Sequence, residues 1–131
     1  MHHTQTSYKS VQEIVQCIEK VASNYNFGVQ HIYNLQETLQ SKGKDLDNEC
    51  QIVDICNANY AQTLLHHDLT LACVLPCKIA VYHQNNQTHV TLNDFTQLIS
   101  NINANITNIA AQAQENLLAI IQDAIKMAEN E

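Results

Sequence analysis

Val11, Ile14, Val15, Ile18, Val21 and Ala22 recur at intervals of three and four, the spacing that lines one face of an α-helix. Ser10 followed by Glu13 supplies a capping box at the start of that helix, each side chain answering a free backbone N–H of the other residue. Ahead of it, residues 2–8 read as a first strand. After a turn at residues 24–26, FGVQHIY (27–33) alternates with period two, as a half-buried strand does. Asn34 and Glu37 repeat the capping spacing, and Gly43 provides a left-handed stop for the short helix between them. Residues 44–49 form a polar connection. CQIVDIC (50–56) is apolar enough for a buried strand, and Asn57 can cap a helix carrying Tyr60, Ala61, Leu64 and Leu65. Residues 71–75 predict an extended apolar segment. Pro76, with no N–H to give a ladder, predicts an edge or a bulge between two strand pieces. Residues 78–83 and 88–92 flank QNNQ as a hairpin.

From Asp94 the period changes to that of a helix. Ile102, Ile106, Ile109, Ala110, Ala113, Leu117, Ile120, Ile121, Ala124 and Met127 hold one stripe for about seven turns, against an average of about three. A helix of that length either crosses a whole sheet or reaches into a partner subunit. The mixture of strands and helices predicts an α+β fold. With no repeat, linker or change of composition, residues 1–131 read as a single domain.

Composition narrows the function. A chain of 131 residues can bury a core without disulfides or metals, and with aromatics at 5% and no Trp that core must come from Ile, Leu, Val and Ala. The net charge is −7, and the six basic residues are lysines scattered singly. Nucleic-acid binding needs a basic patch to neutralise phosphates, and docking on an anionic membrane needs a basic face, so neither partner is expected. No run approaches the roughly twenty apolar residues of a membrane span. MHHTQTSYKS lacks the charged start and apolar run of a signal peptide, and five cysteines is an odd number for a disulfide framework. The expectation is a cytoplasmic protein with reduced thiols.

At CNANYAQTLLHHDLTLACVLPCKIAVY (56–82) the chain resembles the domain-of-unknown-function family 302. Members carry Cys-Asn-Pro, then an Ala and a Leu on a short helix, then an apolar run ending Leu-Pro-Cys. Cys56, Asn57, Ala61, Leu64, Leu75, Pro76 and Cys77 match. The FGV at residues 27–29, the short helix to Gly43 and the closing helix keep the same order. The resemblance implies a TATA-binding-protein-like architecture: an antiparallel sheet with helices packed on it, including a long C-terminal helix, often as a homodimer. It implies no nucleic-acid function. Three positions depart from the pattern: Ala58 replaces a usual Pro, Cys73 replaces a frequent Gly, and Phe95 follows Asp94 where Asp-Pro is common.

Cys56 and Cys77 are the first candidates for chemistry, as soft-metal ligands, a redox couple, or a thiolate carrying a sulfur or acyl group. At a strand-to-helix junction, helix N-terminal N–H groups favour a Cys56 thiolate. Lys78 falls on the strand face opposite Cys77. Against this stands the common role of free Cys as a small buried apolar residue. No metal site is assigned, because CxxC and HxxxH are absent and Pro76 prevents the helical turn that would join Cys73 to Cys77. His66 and His67 point about 100° apart on a helix. With a two- or four-residue turn at QNNQ, His83 faces Thr88 and His89 faces Tyr82, on opposite sheet faces. Gly-rich phosphate loops and GxSxG are missing, so no catalytic residue is assigned. Asp54 interrupts an apolar strand. It is expected to point to solvent from an edge, with burial and a raised pKa as the alternative.

The function expected is that of a small cytoplasmic dimer handling a small ligand or a thiol. Its site is a groove between the sheet and the long helix near Cys56 and Cys77, with Asn57, Cys73, Pro76 and Asp54 as further candidates. The cofactor is unknown. Alternatives are a sulfur- or acyl-transfer enzyme with a Cys nucleophile, a metal- or haem-binding protein, and a structural or interaction module. The groove reading expects alkylation of Cys56 or Cys77 ahead of Cys17.

Overall fold

Capping chemistry sets the element boundaries. In this computed structural model, which describes residues 2–131 (for His2, the backbone), strand β1 (His2–Ser7) leads into helix α1 (Val11–Ala22). Ser10 Oγ accepts from Glu13 N–H at 3.1 Å, and Ser10 N–H donates back to Glu13 Oε1 at 3.3 Å, the reciprocal capping box. Strand β2 (Gly28–Asn34) follows, with a bulge between Val29 and His31. Helix α2 (Leu35–Ser41) starts on the Asn34 cap and ends as a Schellman motif. Gly43 stands at φ +74°, Gly43 N–H donates to Gln40 O, and Lys44 N–H donates to Leu39 O. Strand β3 (Cys50–Cys56) then runs into α3 (Ala58–His67).

Strands β4 (Cys77–Gln84) and β5 (Gln87–Asn93) form the expected hairpin. Asn85 and Asn86 both take positive φ, the two-residue turn that matches strand twist. His83 therefore pairs with Thr88 and Tyr82 with His89, which puts the two histidines on opposite faces. The sheet has five strands in the order β1-β5-β4-β3-β2, all neighbours antiparallel. Its inner face presents Val53, Ile55, Ile79, Val81, Val90 and Leu92, all essentially inaccessible. Helix α1 and the closing helix α5 (Thr107–Glu129) lie against that face and against each other. Ala110, Ala113, Ala124 and Ala128 let α5 approach closely, while Leu117, Ile120 and Ile121 fill the core.

Three expectations change. Residues 71–75 are not extended: Leu69–Val74 is a 3₁₀ turn, because Asp68 Oδ1 takes Thr70 N–H and the turn sinks Leu71 into the core. Pro76 does not divide two strand pieces. Its peptide bond with Leu75 is cis, and an unbroken β4 begins at the next residue. The C-terminal stripe is not one helix, since α4 (Phe95–Ile102) stops before Asn103, whose side chain accepts from Asn105 N–H. A short turn at Ala104–Ile106 separates it from the 23-residue α5, which lies against β1 and β5 and so stays with its own sheet. No helix among the described residues is long and apolar enough to cross a membrane.

Candidate functional site

The sheet register assembles the cysteine motif. Ile55 pairs with Cys77 across β3 and β4, so Cys56, the next residue, reaches the same end of the sheet. Both thiols line a narrow gap walled by Phe27, Leu64, Leu75 and Phe95. Its volume is about 10 Å³, near the minimum for a single water. Cys77, Leu75 and Phe95 also line a cavity of about 230 Å³ between the Leu69–Val74 turn, the start of β4 and the start of α4. Cys56 also lines an open groove that includes Asn26, Ala58 and Ala61. The cysteine pair thus stands between two openings to solvent.

Burial governs the thiols. Cys77 is buried, and this, with Cys56 close by, pushes its pKa up to about 12 from an ordinary 9.0. Burial also raises Cys56. The expected thiolate at Cys56 is therefore not favoured, and the helix start does little to offset the burial. Asn57 Oδ1 accepts the N–H groups of Asn59 at 2.9 Å and Tyr60 at 3.1 Å, so the donors at the α3 N-terminus already have a partner. Substituting Asn57→Ala is expected to cost about 1 kcal/mol through the lost cap. It should also lower the Cys56 pKa by freeing those donors. Thiol titration of a chain retaining only Cys56 checks it, with an unchanged midpoint counting against the account.

Cys73 is exposed and Pro76 half-buried, and both line the 230 Å³ cavity with Cys77. All five cysteines are free. Asp54 is not with them. It lies on β3, flanked by β2 and β4 rather than at an edge, and on the outer sheet face. Contrary to the solvated reading it is 6% exposed, because Lys78 opposite it folds over the carboxylate with Nζ 2.8 Å from Oδ1. Lys78 faces away from Cys77, as the strand period required, and its partner is Asp54. Among the described residues no group of three or more His, Cys, Asp or Glu is placed to hold a metal.

Sequence reasoning passed over Phe95 and Leu98 as lining groups. Phe95 is buried, walls both the cavity and the gap, and its N–H donates to the buried Gln114 Oε1 at 2.7 Å. The signal was present in the departure from Asp-Pro: a proline at that first helical position has no N–H for Gln114.

A five-stranded antiparallel sheet, helices on its inner face and a Cys-Asn/Leu-Pro-Cys cavity at one end define the class of protein. Residues 2–124 match the family described as domain of unknown function DUF302, and the chain belongs to that family. Among solved structures it is similar to the uncharacterized conserved protein DUF302 from Bacillus stearothermophilus. The two are 28% identical with a TM-score of 0.89, over 94% of this chain and 97% of that one. No curated protein matches.

Proposed function

We propose that this chain is a single small-ligand-binding domain of the cytoplasm, acting as a homodimer, with the ligand seated in the 230 Å³ cavity against Cys77. The observation that carries the reading is the cavity itself, which has apolar walls from Val74, Leu75, Leu92, Phe95 and Leu98 and reaches the motif cysteine. Its apolar lining and the protonated state of the two thiols favour passive binding over attack. A nucleophile needs the thiolate, and burial holds Cys56 and Cys77 away from it.

Native mass spectrometry of freshly purified protein tests this. A non-covalent adduct is expected on the wild type and absent from Leu98→Trp, which fills the cavity from α4. A bare mass for both, or an adduct that survives Leu98→Trp, counts against the reading. Burial also reorders the thiol chemistry. With an alkylating agent at neutral pH, Cys73 should react first, Cys56 more slowly, and Cys77 and Cys17 last. Peptide mapping over a time course gives the order, and early loss of Cys77 would restore the nucleophile alternative.

A further inference from the structure

The cavity beside Cys77 is uneven in its chemistry. Most of its wall is apolar, but among the described residues its lining carries one charged side chain, that of Lys78. Lys78 leaves β4 on the outer face of the sheet and its side chain is 57% exposed, so the ammonium stands at the rim of the cavity and not among the apolar walls. One of its three N–H groups reaches Asp54 Oδ1 at 2.8 Å, which leaves two as donors. Cys77, its neighbour on the lining, is buried and keeps its proton, so the thiol is a further, weak donor.

The acidic residues of the flanking segments do not line the cavity. Asp68 Oδ1 accepts from Thr70 N–H at 2.9 Å and Asp94 Oδ1 from Gln97 N–H at 3.1 Å, so each closes a turn or a helix start. A molecule seated here meets apolar surface along its body and N–H donors at one end. Size adds a limit. A cavity of about 150 Å³ holds benzene, so one of 230 Å³ takes a body of about nine carbons.

We infer that the ligand of this cavity is a small monocarboxylic acid whose apolar body packs against Phe95 and Leu98 and whose carboxylate sits at the rim beside Lys78. The inference rests on the small-ligand reading and adds the chemical class to it. A carboxylate at the rim stays in contact with water, so no charge is buried. Its pairing with Lys78 is that of an exposed ion pair, which gives a preference of about two- to fivefold over a neutral head group.

Isothermal titration calorimetry of the full chain with octanoate, octan-1-ol and octylamine tests it. Burial of the shared chain sets affinities of about 0.1 to 1 mM. Octanoate should bind tightest, by that two- to fivefold margin over octan-1-ol, and octylamine weakest. The margin should shrink between about 0.01 M and about 1 M salt, as the Debye length falls from about 30 Å to about 3 Å. Lys78→Gln should remove most of it. Should that variant fail to fold with Asp54 left unpaired, Asp54→Asn combined with Lys78→Gln replaces the ion pair by an amide pair and gives the same reading. Leu98→Trp should abolish binding of all three. Equal affinity for octanoate and octan-1-ol, both lost in Leu98→Trp, overturns the acid but keeps the cavity. Octylamine binding tightest, by taking Asp54 from Lys78, also overturns the acid. A margin that persists without Lys78 overturns the placement of the carboxylate. No binding of any of the three at about 3 mM, above the expected range, or binding that survives Leu98→Trp, overturns the cavity reading and this inference together.

Discussion

Phe95→Ala is expected to destabilise the protein by about 3–5 kcal/mol, the cost of removing a buried phenylalanine from a close-packed core. The ring sits where three parts of the fold meet: it follows β5, opens α4, and walls both the cavity and the cysteine gap. Its removal also joins the 230 Å³ cavity to the gap, so Cys77 should become more accessible to small alkylating agents. Urea unfolding at neutral pH gives the stability, and the Cys77 modification rate in mild conditions gives the opening. A loss below about 1 kcal/mol would mean that the neighbouring side chains collapse into the space. Phe95→Pro separates the two contributions of this residue. It removes the same ring and, in addition, the N–H that satisfies Gln114 Oε1. It should therefore be at least as destabilising, even though proline is otherwise suited to a first helical position.

Features written in neighbouring residues were legible before any fold was known. The Ser10–Glu13 box, the Asn34 and Asn57 caps, the Gly43 stop and the QNNQ turn each depend on a few adjacent positions, and each stands where the pattern placed it. The motif gave the family for the same reason. Features decided by distant partners were not legible. Asp54 reads as an edge carboxylate only until β2 and β4 are seen to flank its strand and Lys78 to cover it. Residues 71–75 are apolar enough for a strand, but Asp68 closes a turn that hydrophobic period does not register. The break at Asn103 is hidden within an otherwise continuous apolar stripe, because Ile102 and Ile106 stay in phase across it.

The same distinction applies to the site. The sequence motif put Cys73 and Cys77 on one groove and made Cys56 a thiolate at a helix start. The fold does place Cys73 on the cavity that Cys77 lines. It withholds the thiolate because burial raises Cys56, while Asn57 already accepts two of the N–H groups at the helix start.

Alkaline pH should unfold this protein through its cysteines. Burial holds Cys77 at about 12. Burial, together with a thiol-to-carboxylate hydrogen bond of 3.2 Å to Glu131, holds Cys17 at about 11. Cys50 and Cys56 are raised by burial as well. In the unfolded chain these thiols lose their protons near the ordinary 9.0, while the native state keeps them. The native state therefore binds more protons above that value, and stability falls as pH rises. Below pH 9 the contribution is fully present, and between 9 and 12 that of Cys77 is progressively lost, in total on the order of 4 kcal/mol. Urea unfolding at a series of pH values from 8 to 11 measures the decline. The informative comparison is between variants. Cys77→Ala should follow the wild type up to about pH 9 and then fall less steeply, and adding Cys17→Ala should flatten the curve further. A single slope shared by all three proteins would show that neither buried thiol is linked to unfolding, and would remove the basis for treating Cys77 as a protonated wall of the cavity.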